Sequence, residues 1–154
     1  MKKIDLIILH CSDNPNPKTD IADIRAYHTA PKPKGRGWLD VGYHWFIRTD
    51  GLLQRGRNVD ADEWMEPSEI GAHCVGYNSR AIGICLNGRD EFADVQFDTL
   101  RTLLRNTCYQ RWPEATVHGH EEYSDEGKTC PNFDVRDWWK EEREKASWMS
   151  SWRK

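Results

Sequence analysis

The sequence predicts one α+β domain (α/β-like), a central mixed β-sheet flanked by helices. Three observations predict it. Residues 4–9 and 81–86 are short, almost unbroken aliphatic runs, the pattern of strands buried on both faces. Residues 41–48 are rich in aromatic and branched side chains, and Thr49-Asp50-Gly51 turns them back on residues 52–55 as a hairpin. Phe97, Leu100, Leu104 and Cys108 recur at helical spacing, with Leu103 alongside. A chain of 154 residues is large enough for one real core.

Taken in order, residues 4–9 form the first strand, and His10-Cys11-Ser12-Asp13 ends it before Asn14-Pro15-Asn16-Pro17. His10 therefore stands at the mouth of a central strand. Asp20 is placed to cap a helix running to about Thr29, with Ile21, Ile24 and Tyr27 or His28 along it, and Pro31 stops it. Lys32-Pro33-Lys34-Gly35-Arg36-Gly37 reads as a basic loop, a solvated turn or a contact for an anion. If residues 41–48 are one strand, Tyr43 and His44 face opposite sides and only one of them looks into a given site. Residues 58–77 form a long irregular stretch, of the kind that often carries function, and His73 lies in it. Asp94 is expected to cap the second helix, which runs to about Arg111 with Cys108 in the core. Thr116-Val117-His118 makes a short strand. Asp134 caps a last helix with Asp137 three residues on. Trp138 and Trp139 should pack on the body, with Ala146, Trp148, Met149 and Trp152 further along. The division expected is a domain over residues 1–144 and a helical tail over 145–154, aromatic and basic at its end.

Bulk composition removes several functions. A net charge of −3 gives no electrostatic reason for nucleic-acid binding. The first apolar run stops at His10, too early for a signal peptide or a membrane span. Five irregularly spaced cysteines argue against a disulfide framework and for a reducing compartment.

The densest chemistry lies in residues 118–131, where His118, His120, Lys128 and Cys130 stand among several carboxylates. Imidazole and thiolate are zinc ligands, and a catalytic zinc site keeps about three protein ligands and one open position. His10, one of His118 and His120, and Cys130 supply such a set. Spacing does not choose between His118 and His120, because residues two apart on a strand share a face. Composition also leaves His44 and His73 open. The competing reading is a solvated acidic loop with a free cysteine. A cysteine nucleophile at Cys11 is disfavoured, since His10 and Cys11, adjacent at a strand end, point apart.

An ordered set of motifs makes the assignment specific. His10-Cys11-Ser12, Gly37-Trp38-Leu39-Asp40-Val41-Gly42-Tyr43-His44 and Thr49-Asp50-Gly51 come first. Gly71-Ala72-His73, Gly76-Tyr77-Asn78, Ile82-Gly83-Ile84-Cys85-Leu86 and Lys128-Thr129-Cys130-Pro131-Asn132-Phe133-Asp134 follow. Across residues 4–140 the chain resembles the zinc-dependent N-acetylmuramoyl-L-alanine amidases of the small phage endolysin type, related to the peptidoglycan recognition proteins. The resemblance implies one catalytic Zn2+ held by His10, His120 and Cys130. His120 is favoured because Gly119-His120-Glu121-Glu122 fits the family's pattern of a small residue, the ligand, any residue and an acid. It implies Tyr43 and Lys128 as catalytic groups, His73, Trp38 and Asn78 as substrate contacts, and Glu122 as a support behind the ligands. The implied substrate is peptidoglycan, cut at the amide between N-acetylmuramic acid and L-alanine. The resemblance further implies a monomer that accumulates in the host cytoplasm and reaches the wall through a separate membrane-opening protein. Some relatives also bind a phage RNA polymerase. A non-catalytic peptidoglycan-binding module on the same fold is the alternative.

Overall fold

A computed structural model describes residues 1–124 and 127–145. It begins with β1 (Lys2–Lys3) and β2 (Leu6–Cys11), whose six residues are all buried. Helix α1 (Ile21–Thr29) follows, opened by a reciprocal cap. The Asp20 carboxylate accepts from the Asp23 backbone N–H, and the Asp23 carboxylate accepts from that of Asp20. Then come β3 (Trp45–Ile47), β4 (Leu53–Arg55), β5 (Trp64–Met65) and β6 (Ala81–Leu86), the last again buried throughout. Helix α2 (Asp94–Leu103) continues through a wide turn at Leu104–Cys108 into a final turn at Tyr109–Arg111. Strand β7 (Thr116–Gly119) and helix α3 (Val135–Lys145) complete the described elements.

Five strands form one sheet in the order β4-β3-β6-β2-β7. β2 lies parallel to both β6 and β7, and β3 lies parallel to β6. Only β3–β4 is antiparallel, so the sheet is mixed as predicted. A parallel centre needs cover on both faces. On one face Ile7, Leu9, Ile82, Ile84 and Leu86 pack against Leu100 of α2, Leu104 and Trp112 from the turns that continue it, and Trp139 of α3. On the other face Leu6, Ile8 and Ala81 meet the 70s loop, while Phe46 and Cys85 meet α1 through Ile21 and Ile24. Alternation along β2 puts His10 in phase with Leu6 and Ile8, on the face carrying α1 and the 70s loop.

Several sequence expectations change. The strand expected over 41–48 shrinks to Trp45–Ile47: His44 N–H still reaches Gly83 C=O of β6, but the carbonyls of Gly42 and Tyr43 bond to loops. Gly42 C=O accepts from Ala72 N–H, and Tyr43 C=O from Arg57 N–H. The second helix starts with Asp94 inside it. Ala93 holds the cap position, and the Gln96 amide oxygen accepts from its N–H. Cys108 and Trp139 are buried and Trp138 packs on the core, as expected. Asp134 does cap α3, accepting from Asp137 N–H. The strand pair β1–β5 was not foreseen. Ala146, Trp148, Met149 and Trp152 lie outside the described residues.

Candidate metal centre and cleft

His10, His120 and Cys130 each offer a ligand atom, and these atoms lie within 4.8 Å of one another. They reach that point by different routes. β2 delivers His10 at its buried end. β7 stops at Gly119, and the chain turns at once into a short helical turn, His120–Tyr123, which swings His120 toward His10, ring centroids 4.5 Å apart. Cys130 arrives on the following loop, where its sulfur accepts from the Cys11 backbone N–H at 3.1 Å.

This turn settles which histidine of the pair belongs to the cluster. His118 stays on β7 and is tied locally, to the Thr116 hydroxyl at 2.6 Å and the Glu122 carboxylate at 3.2 Å. Glu122 also accepts from Gly119 N–H at 2.7 Å and from Arg136 at 2.8 Å. It therefore braces the turn that carries His120, and acts on its backbone.

His44 is excluded as a ligand by its own hydrogen bonds. Its Nε2 lies 2.7 Å from Glu69 C=O and its Nδ1 accepts from Gly83 N–H at 3.0 Å, so neither nitrogen is left over. The expectation that Tyr43 and His44 face opposite ways fails, since regular strand begins only at Trp45. The Tyr43 ring lies 5.2 Å from His10, and the His44 ring 5.8 Å from His73.

The cluster opens on a cleft of about 600 Å³ lined by His28, Arg36, Trp38, Tyr43, His73 and Lys128, among others. Asn78 reaches the same cleft. Its side-chain oxygen accepts from the backbone N–H groups of His73 and Cys74, both at 2.9 Å, so it also shapes the loop. Among the lining residues not singled out as site residues from sequence are His28 and Arg36. His28 sits in the last turn of α1, its Nδ1 accepting from Gly42 N–H. The Arg36 guanidinium stands 5.5 Å from the Trp38 ring and 5.9 Å from the Tyr27 ring. Their signals, a histidine in a helix register and a basic loop, are ordinary surface features in sequence.

The electrostatics favour neutral donors. Burial, then the neighbouring His73 and His120, hold His10 well below the ordinary imidazole value. Burial takes His44 to about 4 and His73 to about 3. His28 also falls to about 4, through burial and then Arg36 and Arg57. Contact with the Cys11 thiol, then burial, pushes the Cys130 thiol up, so a thiolate there calls for a cation beside it. Burial raises Tyr43 well above the usual phenol value, leaving its hydroxyl a hydrogen-bond donor at neutral pH.

Comparison with known proteins defines the class. The family model for N-acetylmuramoyl-L-alanine amidase matches residues 1–133, so the chain belongs to that family. Among its relatives is the endolysin of Escherichia phage T7, 36% identical over 144 residues, covering 88% of this chain and 85% of that one. The solved N-acetylmuramoyl-L-alanine amidase LysC from Clostridium intestinale superposes with a TM-score of 0.71 at 25% identity, covering 93% of this chain and 85% of its own. Drosophila PGRP-LB shares the fold, with a TM-score of 0.67 at 24% identity over 84% of this chain and 76% of its own.

Proposed function

We propose that this chain is a phage endolysin that hydrolyses the amide between N-acetylmuramic acid and L-alanine in peptidoglycan, with one zinc ion held by His10, His120 and Cys130. The observation that carries the reading is the convergence of two imidazoles and a thiol at a cleft, in a chain of this family. The donor set fits zinc. Nitrogen and sulfur ligands suit it, three protein ligands leave a position open, and the raised Cys130 thiol is a group that a cation relieves. When bound, zinc supplies Lewis acidity to the scissile carbonyl and acidifies the attacking water.

The remaining work falls to the chain. Lys128, on the exposed rim of the cleft, offers an ammonium to the carbonyl oxygen as negative charge builds there. Tyr43 donates its hydroxyl from the floor and orients the attacking water. Trp38 and Asn78 stand where glycan or stem peptide would lie. Water adds across the C–N bond, leaving a lactyl carboxylate on the sugar and a free amine on L-alanine. Tyr43, Lys128 and Cys130 lining one cleft favour catalysis over a pure binding module.

No described helix is long and apolar enough to cross a membrane. The reading includes release from the host cytoplasm through a separate membrane-opening protein. A monomeric state and a phage RNA polymerase as second partner belong to it through the family likeness alone. Sedimentation and a pull-down test these two. The central test pairs metal analysis with wall digestion. Wild-type protein should carry one zinc and release stem peptides with new amino termini, and Cys130→Ser should do neither. An active Cys130→Ser protein would refute the ligand set.

A further inference from the structure

The His10 ring has two nitrogens, and only one of them can face a cation. Hydrogen bonds leading away from the cluster decide which. Ala81 C=O can only accept, so His73 Nε2, 3.1 Å from it, carries a proton and donates it. A neutral imidazole has one ring proton, which leaves His73 Nδ1 a bare acceptor. His10 Nε2 lies 2.9 Å from that acceptor and must be the donor. The lone pair of His10 is then on Nδ1. The two rings stand nearly perpendicular, 89° apart with centroids at 4.9 Å, so the donor of one points at the edge of the other.

A second observation shows that the fold makes room for this contact. β6 is buried along its whole length, yet its third residue is Gly83, a poor residue for the inside of a strand. A Cβ built there would lie 2.6 to 2.9 Å from Cγ, Cδ2 and Nδ1 of His73. The His73 ring occupies the space that a side chain at position 83 would need. Its backbone is pinned in turn by Asn78, which accepts from His73 N–H.

We infer that His73 is a positioning residue: it receives the Nε2 proton of His10, which fixes the tautomer and aim of that ring with Nδ1 toward the metal, and Gly83 is the gap that admits it. The inference rests on the reading of His10 as a metal ligand and assigns His73 a role away from substrate. Such partners commonly change metal affinity ten- to a hundredfold.

Two measurements test it. Long-range proton–nitrogen NMR spectra of the wild-type, metal-free protein should show His10 and His73 both protonated on Nε2. A His10 protonated on Nδ1 overturns the inference. In competition against a chelator, His73→Phe, which keeps a ring but no acceptor, should hold zinc about ten- to a hundredfold more weakly. His73→Asn places a side-chain oxygen near the old Nδ1 and should recover most of that loss. A folded His73→Phe protein with wild-type zinc affinity overturns the inference. Should neither variant fold, the wild-type spectra decide. The outcomes also separate the two proposals. Wild-type protein that binds no zinc sinks the proposed function, whereas zinc bound through Nε2 of His10 sinks only this inference.

Discussion

Gly83→Ala adds one methyl group to the centre of β6, and the structure states what that methyl meets. The nearest His73 atom would be 2.6 Å away, where ordinary contact begins near 3.4 Å, so the ring must retreat by about 0.8 Å. The His10–His73 hydrogen bond is 2.9 Å long. A shift of that size stretches it past 3.5 Å if outward and forces a clash if inward. Overpacking of this kind costs roughly 1–3 kcal/mol. The gain from replacing a strand glycine offsets about 0.5–1 kcal/mol of it. The expected net loss in the metal-free protein is therefore about 1 kcal/mol, within roughly 0–2.5, read as a lower urea midpoint by circular dichroism. Zinc affinity in chelator competition should fall by about tenfold or more. A Gly83→Ala protein with unchanged midpoint and unchanged zinc affinity would refute the packing argument.

Tyr43→Phe and Lys128→Ala should each lower wall digestion by about a hundredfold or more while leaving zinc content intact, as removal of a donor to the reacting groups does. Loss of zinc in either variant would move that residue from chemistry to structure. The buried His44 is neutral in the fold with a value of about 4, below the ordinary 6.5 of the unfolded chain. The unfolded state therefore takes the proton first. Its contribution is intact above about pH 6.5, declines as pH falls toward 4, and then levels off. At pH 5 the loss from this one group is on the order of 2 kcal/mol. Urea midpoints of the metal-free protein at pH 7.5 and pH 5 check this, and equal midpoints would contradict it.

The core strands were legible because burial on both faces writes itself as uninterrupted aliphatic sequence, and both runs became β2 and β6. Asp20 and Asp134 were legible as caps for a similar reason, since the helix end needs an acceptor at one position. What stayed hidden depended on where the backbone goes next. Residues 41–44 look like strand by composition, but the carbonyls of Gly42 and Tyr43 are claimed by loops at Ala72 and Arg57. His118 and His120 are equivalent by alternation until β7 ends between them and the helical turn separates their directions. Cys11 was read as a strand-end neighbour of His10, while the fold uses its backbone N–H to hold the Cys130 sulfur. Gly83 stood in a recognised motif, but only the placement of His73 gives it a purpose.

β2 and β7 pair side by side although more than a hundred positions separate them along the chain, and the third donor follows later still. On the proposed ligand set, His10 therefore has no partner ligand until the chain has run on past His120 and Cys130. Hydrolysis would then depend on the pairing of β2 with β7, since a chain with β7 undocked would hold no complete ligand set.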